Sequence, residues 1–514
     1  MTAYSSQAIT DYKKRIAHNA IKMMFEEKGV GWEGDAATGF NQGSMIPYPS
    51  LSGTTLPPVN GPTGTVQFFV PGASMNAHGQ WERGDGAALS SSSFPPGSVL
   101  VREEEVNGLP GYVCQVDPWT SCYQPWIERI ESILEGWDTL PSHSRFADEA
   151  AKAGAALESL TPRNGFGSVT AANWRPDFDD PGRENAFDLF SDYVGGNVES
   201  DMVYAFRNKY GPVRVATVME NQGQIALGLT LILGGEKELW LKAGEDIMAL
   251  CAAAEKAFNY DPPDFDFSID LKVVKAFVDL VGAFVPPHLK PAFAGASAVV
   301  GFLQAVIPEN KAEQTPPPAL SGSTAEQVAT NFQEAVLTLR RAVFAQEEEL
   351  YHCARRLTED IRSVSPDFLH IHPDAGLDPG VTTTEQINVH TGALQDIGNN
   401  QIPIIASVFA KAADETYNLA PASIWVRGWP LGYGTSGPQE YVAEILAEFD
   451  KLATGTAREL VDAGERLAIA AGWIQGADDD NQAQLTGLTD ELERGRTGWT
   501  PPPEPEPLYP GHGY

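Results

Sequence analysis

Residues 446–474 carry the longest regular pattern in this 514-residue chain. Apolar or small side chains recur at alternating intervals of three and four residues over four heptads. They are Leu446, Phe449, Ala453, Thr456, Leu460, Ala463, Leu467, Ala470 and Ile474. This spacing places all of them on one side of an α-helix, and a second helix is needed to cover that side. The pattern predicts a mainly α fold built from long antiparallel helical hairpins.

Two other regions have the same helical spacing. The first covers about residues 143–258, and its long apolar stripe is interrupted by Gly234, Gly235 and the polar Glu236. The second begins at Thr324, where Gln327 three residues later matches the capping-box pattern. Its stripe runs to about residue 364, through Val328, Phe332, Ala335, Leu339, Val343, Leu350, Cys353 and Leu357.

The remaining sequence suggests how these regions are separated. Residues 41–63 are rich in Gly, Pro, Ser and Thr and predict a long loop, and short alternating runs between 65 and 118 favour a few strands. We therefore expect five consecutive ranges. They are a short helix with a loop-rich cap at 1–120, a first helical hairpin domain at 121–307, a Pro-rich linker at 308–323, a second helical domain at 324–499, and a disordered Pro-rich tail at 500–514.

Charge and composition narrow the function classes. The formal net charge is −33, from 35 Lys and Arg against 68 Asp and Glu, and such a surface repels phosphates and anionic lipid. Nucleic acid is therefore excluded as a partner. Residues 273–307 are the most apolar stretch, but charges and prolines interrupt it, which favours a buried helical pair over membrane insertion. Membrane contact is possible but not favoured.

Four cysteines are too few for a disulfide scaffold. Cys114 and Cys122 either pair or remain free thiols, whereas Cys251 and Cys353 lie in helical patterns and are expected in the core. The first twenty residues have no apolar core between their charges, so we expect no signal peptide of the general secretory route.

Two short motifs in the sequence match patterns known from metal-binding and nucleotide-binding sites. His370, His372 and Asp374 have the His-x-His-x-Asp spacing that opens a metallo-hydrolase zinc site, but Ala375 stands where that family has His. The sequence GYGTSG at 432–437 matches a dinucleotide-binding pattern, but no buried strand precedes it, so it is interpreted as an interhelical loop.

The acidic run Asp478, Asp479 and Asp480 lacks the Gly and distal Glu of an EF-hand. We therefore predict no cofactor, no bound metal and no enzymatic activity. A metal-dependent hydrolase centred on His370, His372 and Asp374 remains the alternative. A membrane-perturbing exported toxin that uses residues 273–307 is a further alternative.

The regions at about 143–258 and 386–492 resemble actinobacterial type VII (ESX) secretion proteins of the WXG and Esp-like kind. In the first region the resemblance rests on Trp174 and on ENAFDLFSDYV, with Phe187 and Tyr193 at the expected kind of positions. The family's Gly two residues after the Trp is replaced by Pro176.

In the second region the resemblance rests on a Trp/Gly loop, with Trp425 and Gly428, and on the end of the closing helix. There Trp473 precedes the acidic, Asn-containing end that starts at Asp478. The family's export signal is Tyr, three residues, then Asp or Glu. Its literal form occurs at Tyr260 and Asp264, whereas the C-terminal helix offers Trp473 and Asp478 with one residue more between them.

The resemblance implies a non-enzymatic substrate or accessory protein that acts through helix–helix interactions. It would be cytoplasmic before export and then secreted or on the cell surface. Its partners would be a WXG-type protein, a chaperone or the secretion ATPase, and a homo-oligomer is possible.

Residues 31–40, GWEGDAATGF, also contain the residues that are typical of the family's Trp/Gly turn. The pattern before Trp32 allows only one short helix, and Gly/Pro-rich sequence follows Phe40. A helical hairpin needs two long helices to bury its apolar side. We interpret this stretch as a chance match or a displaced recognition turn.

Overall fold

The computed structural model describes residues 4–27, 30–33, 36–40, 66–71, 73–75, 81–83, 99–106, 109–116, 123–161, 181–195, 206–207, 209–260, 320–364, 369–371 and 390–493. Within these ranges the protein is mainly helical, which confirms the predicted mainly α class. The helices are α1 (Ser6–Glu27), α2 (Gln124–Ile133), α3 (His143–Leu160), α4 (Pro181–Gly195), α5 (Pro212–Ala257), α6 (Ala325–Ser363), α7 (Thr391–Asp396), α8 (Ile402–Thr416) and α9 (Gln439–Glu493). A π-helical turn, Ile397–Gln401, connects α7 to α8.

Short antiparallel strands occupy part of the N-terminal region. They are β1 (Val30–Glu33), β2 (Ala36–Phe40), β3 (Val66–Pro71), β4 (Ala73–Met75), β5 (Trp81–Arg83), β6 (Val99–Val106) and β7 (Leu109–Val116). The strands pair as β1 with β2, β4 with β5, and β3–β7–β6. Because Val30 pairs with Phe40 and Glu33 with Ala36, the described residues of GWEGDAATGF form a strand pair and not a turn between helices.

The chain divides into two compact units, and each is assembled from separated stretches of sequence. Unit 1 comprises Met1–Thr161, Gln222–Val364 and Ala412–Lys451, and unit 2 comprises Pro162–Asn221, Ser365–Lys411 and Leu452–Tyr514. The five consecutive ranges expected from the sequence remain a prediction about domain boundaries.

The first helix of unit 1 is longer than the short helix that the sequence predicted. Helix α1 buries an apolar side that includes Ile9, Ile16 and Ile21. The charges between these positions obscure the pattern in the sequence, and the fold gives them partners. Lys13 Nζ lies 3.3 Å from Asp138, and Arg15 Nε lies 2.9 Å from Glu255.

Local sequence signals explain where the next helices of unit 1 begin and end. Ser142 caps α3, its hydroxyl accepting the Arg145 N–H, and the helix ends at Leu160 as the Pro and Gly residues after it predict. Thr324 caps α6 in the same way by accepting the Gln327 N–H. The side chain of Gln327 returns to the N–H of Ser323, at 2.9 Å, one residue earlier than in a capping box.

Helix α5 runs without a break through Gly234 and Gly235. The polar and glycine residues that interrupt its apolar stripe therefore do not end the helix. Unit 1 buries both faces of this part of the helix, and packing compensates for the low helix propensity of glycine. Glu236 is also completely buried.

In unit 2, α9 packs closely against the π-helical turn. A Cβ atom at Gly464 would lie only 2.6 Å from the carbonyl oxygen of Gly398, so the two backbones touch where both residues lack a side chain. The predicted apolar stripe of α9 is buried from Phe449 to Leu467, whereas Leu446 and Ile474 at its ends are partly exposed.

The described helices include none that is long and apolar enough to cross a membrane. Residues 273–307, the predicted buried helical pair, lie outside the described residues, as do 308–319 of the linker and the tail at 500–514. Cys251 and Cys353 are buried free thiols, as predicted, and burial raises the pKa of both, that of Cys353 to about 12.

Candidate functional site

A buried pair of opposite charges connects α6 to the loop before α9 in unit 1. The carboxylate of Glu347 is fully buried, and the Arg427 side chain that donates to it is only 3% exposed. Glu347 also accepts the backbone N–H of Tyr433. Arg427 in turn donates to the carbonyl oxygen of Tyr433 at 2.5 Å. The ion pair therefore fixes the backbone of the loop at Tyr433.

Two glycines let the loop close around this carboxylate. Gly432 and Gly437 have φ of 71° and 53°, a region that glycine adopts without strain. A Cβ atom at either position would collide with a carboxylate oxygen of Glu347. The GYGTSG sequence is therefore an interhelical loop, as predicted, and its glycines make room for a side-chain carboxylate.

A second buried acid lies on α5. Trp240 Nε1–H donates to Glu236 Oε2 at 2.7 Å, and the Trp240 ring has the Arg427 guanidinium 5.6 Å from its centroid. Among the described residues, Glu236 Oε1 has no hydrogen-bond partner. We call Glu236, Glu347 and Arg427 the ionic cluster.

The ionic cluster holds two acids and one base, and its electrostatics follow from that imbalance. Burial, and then the negative charge of Glu347, raise the pKa of Glu236 well above the usual glutamate value, although Trp240 and Arg427 oppose the shift. Burial also raises the pKa of Glu347, against the lowering effects of Arg427 and of the Tyr433 N–H. A neutral Glu236 beside an ionised Glu347–Arg427 pair is the arrangement that burial favours.

Next to the ionic cluster, five aromatic rings form a patch that we call the aromatic surface. They are Phe344, Tyr351, His352, Tyr433 and Tyr441. The Tyr351 and Tyr433 centroids are 4.7 Å apart, and Tyr351 lies 5.1 Å from Tyr441. Phe344 is 43% exposed and lies 5.2 Å from Tyr433. A hydrogen bond with Tyr351 raises the pKa of Tyr441.

One residue connects the buried ionic cluster to the aromatic surface. Both carboxyl groups of the ionic cluster are fully buried among the residues that the structure describes. Tyr433 belongs to both features, because its backbone is held by Glu347 and its ring is part of the aromatic surface. The cluster therefore positions a surface ring.

The residues that carry the resemblance in the first helical region do not form one site. Phe187 is completely buried on α4 and Tyr193 is partly exposed there. Trp174 and Asp264 lie outside the described residues. Tyr260 is 51% exposed just after α5, with a φ of 56°.

In the second region, Trp425 is buried in unit 1, with its ring 4.8 Å from Phe146 at a steep angle. Gly428 donates its N–H to the Thr139 carbonyl at 2.9 Å, and its backbone touches Gly136. These two residues therefore stabilise the fold. Trp473 is 76% exposed on α9, and Asp478 lies on the same helix.

The proposed metal ligands are only partly described. The ring of His370 lies 3.1 Å from where a Cβ of Gly455 would be, in unit 2, while His372 and Asp374 lie outside the described residues. No group of three His, Cys, Asp or Glu side chains in the described part of the chain could hold a metal ion.

The ionic cluster was not predicted from the sequence, although the sequence contains a signal for it. Glu236 follows Ile232 by four residues, and Glu347 follows Val343 by four, so both acids occupy apolar positions of a helical stripe. An acid at such a position is buried with a partner or disrupts the helix. No pattern in the sequence indicates that Arg427 is the partner.

Comparison with protein-family models, curated proteins and solved structures finds no match for this chain.

The buried acid on α5 leads to a prediction about pH. Because the folded state holds the Glu236 proton more tightly, the unfolded state loses that proton at lower pH, and the protein is destabilised as pH rises above about 4.5. Glu236→Gln keeps an acceptor for Trp240 but cannot ionise. We expect its free energy of unfolding to match wild type near pH 4 and to exceed it increasingly towards pH 8, by at most about 1.4 kcal/mol per pH unit.

Urea unfolding at several pH values measures this difference. Glu245→Gln on the same helix is the control, because Glu245 is 54% exposed and its substitution should give no comparable gain. A Glu236→Gln variant whose stability runs parallel to wild type from pH 4 to 8 would show that Glu236 is ionised in the fold.

Proposed function

We propose that this protein is a non-enzymatic substrate or accessory factor of a type VII (ESX) secretion system, acting through helix–helix interactions. Tandem helical hairpins would provide its interaction surfaces. The proposal rests on the sequence resemblance of the two helical regions. The observation that supports it best is the exposure of Trp473, the aromatic residue of the candidate export motif formed by Trp473 and Asp478. Its side chain is 76% exposed on a long helix.

An export motif has to be accessible to the machinery that reads it. Trp473 meets this requirement, and its substitution removes little packing because the side chain is mostly in solvent. Trp425, in contrast, is buried and belongs to the core of unit 1. Of the two tryptophans, Trp473 is therefore the one that a secretion partner could contact.

Export in the native host tests the proposal directly. Deleting the secretion ATPase should leave the protein in the cytoplasm, and the double variant Trp473→Ala, Asp478→Ala should do the same in the wild-type host. We expect helical content by circular dichroism to stay close to wild type, because neither substitution removes a described core side chain. Immunoblots of culture medium and cell wall measure export.

Tyr260→Ala is the matched variant for the competing motif. Normal export of the double variant with retention of Tyr260→Ala would place the signal after α5. Normal export of both would remove the carried-over motif from consideration, and export that is unaffected by loss of the ATPase would contradict the proposed function itself.

A further inference from the structure

Helix α9 continues well beyond its packed part in unit 2. Ala471 is its last buried residue among those whose side chains the structure describes, whereas Gln475, Gly476, Ala477, Ala483 and Gln484 are exposed. We call residues 472–493 the distal segment, which is about 33 Å long at 1.5 Å per residue. Its described side chains are mostly exposed, so this part of the helix depends largely on its own propensity.

The propensity of the distal segment is poor. It contains three glycines, Gly472, Gly476 and Gly487, and each costs about 1 kcal/mol relative to alanine inside a helix. Helices in proteins gain most of their stability from the packing of an apolar face. A partner that covers an apolar face of the distal segment would therefore stabilise it.

An apolar face begins where the packed part ends. Ile469 is 54% exposed and Trp473 is 76% exposed, and they are four residues apart. Gly476 follows three residues later, with no atom within 4 Å of where its Cβ would be. We call Ile469, Trp473 and Gly476 the distal face, because this spacing places them on one side of the helix.

The distal face offers what a helix needs for close approach. A large side chain provides apolar area, and a glycine next to it leaves the backbone accessible. Earlier on the same helix, Gly464 already allows a neighbouring backbone to come close, at Gly398. A second helix is therefore the kind of structure that fits the distal face.

The charge of the distal segment indicates which kind of helix would bind there. From residue 467 to 493 the chain has no Lys or Arg and carries Asp478, Asp479, Asp480, Asp490, Glu491 and Glu493. Two copies of this segment would place acids against acids, which disfavours a dimer through this surface. A helix with lysine and arginine beside an apolar stripe has the complementary charge.

We propose that the distal segment binds a partner helix that is amphipathic and basic, with the distal face as its contact. The apolar stripe of the partner covers Ile469 and Trp473, and its basic side chains face the acids that follow. The inference rests on the proposed function in treating this segment as a protein-binding surface. It names the chemistry of the partner, which the resemblance leaves open.

Binding of a model helix to the full-length protein tests this inference without a secretion system. The probe is a fluorescently labelled synthetic peptide of about 18 residues, with Leu and Lys at amphipathic helical spacing, and its counterpart has Glu in place of Lys. We expect the Lys peptide to bind, with affinity falling as salt rises, and the Glu peptide not to bind. Fluorescence anisotropy measures both.

Variants separate a defined contact from general attraction to an acidic protein. Ile469→Ser and Trp473→Ala should each weaken the Lys peptide by about tenfold or more. Trp429→Ala is the matched control, because Trp429 is 73% exposed in unit 1 and lies outside the distal face. It should bind the peptide as wild type does.

Equal binding of the Lys peptide to wild type and to Trp473→Ala would overturn the inference and leave only non-specific charge attraction. A concentration-dependent dimer that Trp473→Ala dissociates in sedimentation would also overturn it, since the occupant would then be a second copy. Export that is unaffected by loss of the secretion ATPase contradicts the proposed function and leaves the peptide result unchanged.

Discussion

Replacing Arg427 by methionine should lower the free energy of unfolding by about 3–5 kcal/mol, because it leaves the carboxylate of Glu347 buried without its counter-charge. Both side chains are almost completely buried, so water does not replace the missing partner. The loss should become smaller towards acidic pH, where protonation neutralises Glu347, whose pKa burial already raises. Urea unfolding at pH 4.5 and pH 7.5 measures the loss and its pH dependence.

Arg362→Met provides the control within the same unit. Arg362 pairs with Glu444, but its side chain is 61% exposed, and exposed pairs contribute about 0–1 kcal/mol. Equal losses in the Arg427 and Arg362 variants, or a loss at Arg427 that does not change with pH, would contradict a buried charge pair at Glu347.

The second large effect is expected from Leu460→Asp on α9. Leu460 is 1% exposed, and removing such a side chain to alanine alone costs about 2–5 kcal/mol. Aspartate adds a buried carboxylate without a partner, which costs more. The neighbouring stripe positions, such as Ala463, are small and contribute little apolar area, so they cannot compensate. We expect residues 390–411 and 452–471 to lose amide protection in hydrogen-exchange measurements.

Val461→Asp is a closely matched comparison, because it introduces an aspartate at the next position of the same helix. Val461 is 37% exposed, and a carboxylate there remains in contact with water. We expect its effect to be within about 1 kcal/mol. Similar loss of protection in both variants would mean that the buried side of α9 differs from the one described.

The helices that the sequence predicted best are those with local signals. The apolar stripe of α3 and the capping residues Ser142 and Thr324 act within a few residues of one another, so their effect can be inferred from the sequence alone. The buried part of α9 follows for the same reason. Helix α1 was underestimated because its basic residues find partners, such as Glu255, more than two hundred residues away.

The candidate site could not be predicted in the same way. Glu347 and Arg427 are separated by 80 positions, and their pairing depends on how α6 and the loop before α9 fold together. Only the presence of an acid on an apolar stripe indicated that something was buried there. That Arg427 is the partner of Glu347 follows only from the tertiary structure, and so does the exposure of Trp473.

The discontinuous composition of the two compact units has a consequence for how the chain folds during translation. Unit 1 requires Ala412–Lys451 and unit 2 requires Leu452 and beyond, so neither is complete until the ribosome has passed residue 451. At about 5–20 residues per second, α1 emerges tens of seconds before its unit is complete. Newly made chains should therefore depend on chaperones that hold apolar helices, and fragments ending before α9 should aggregate.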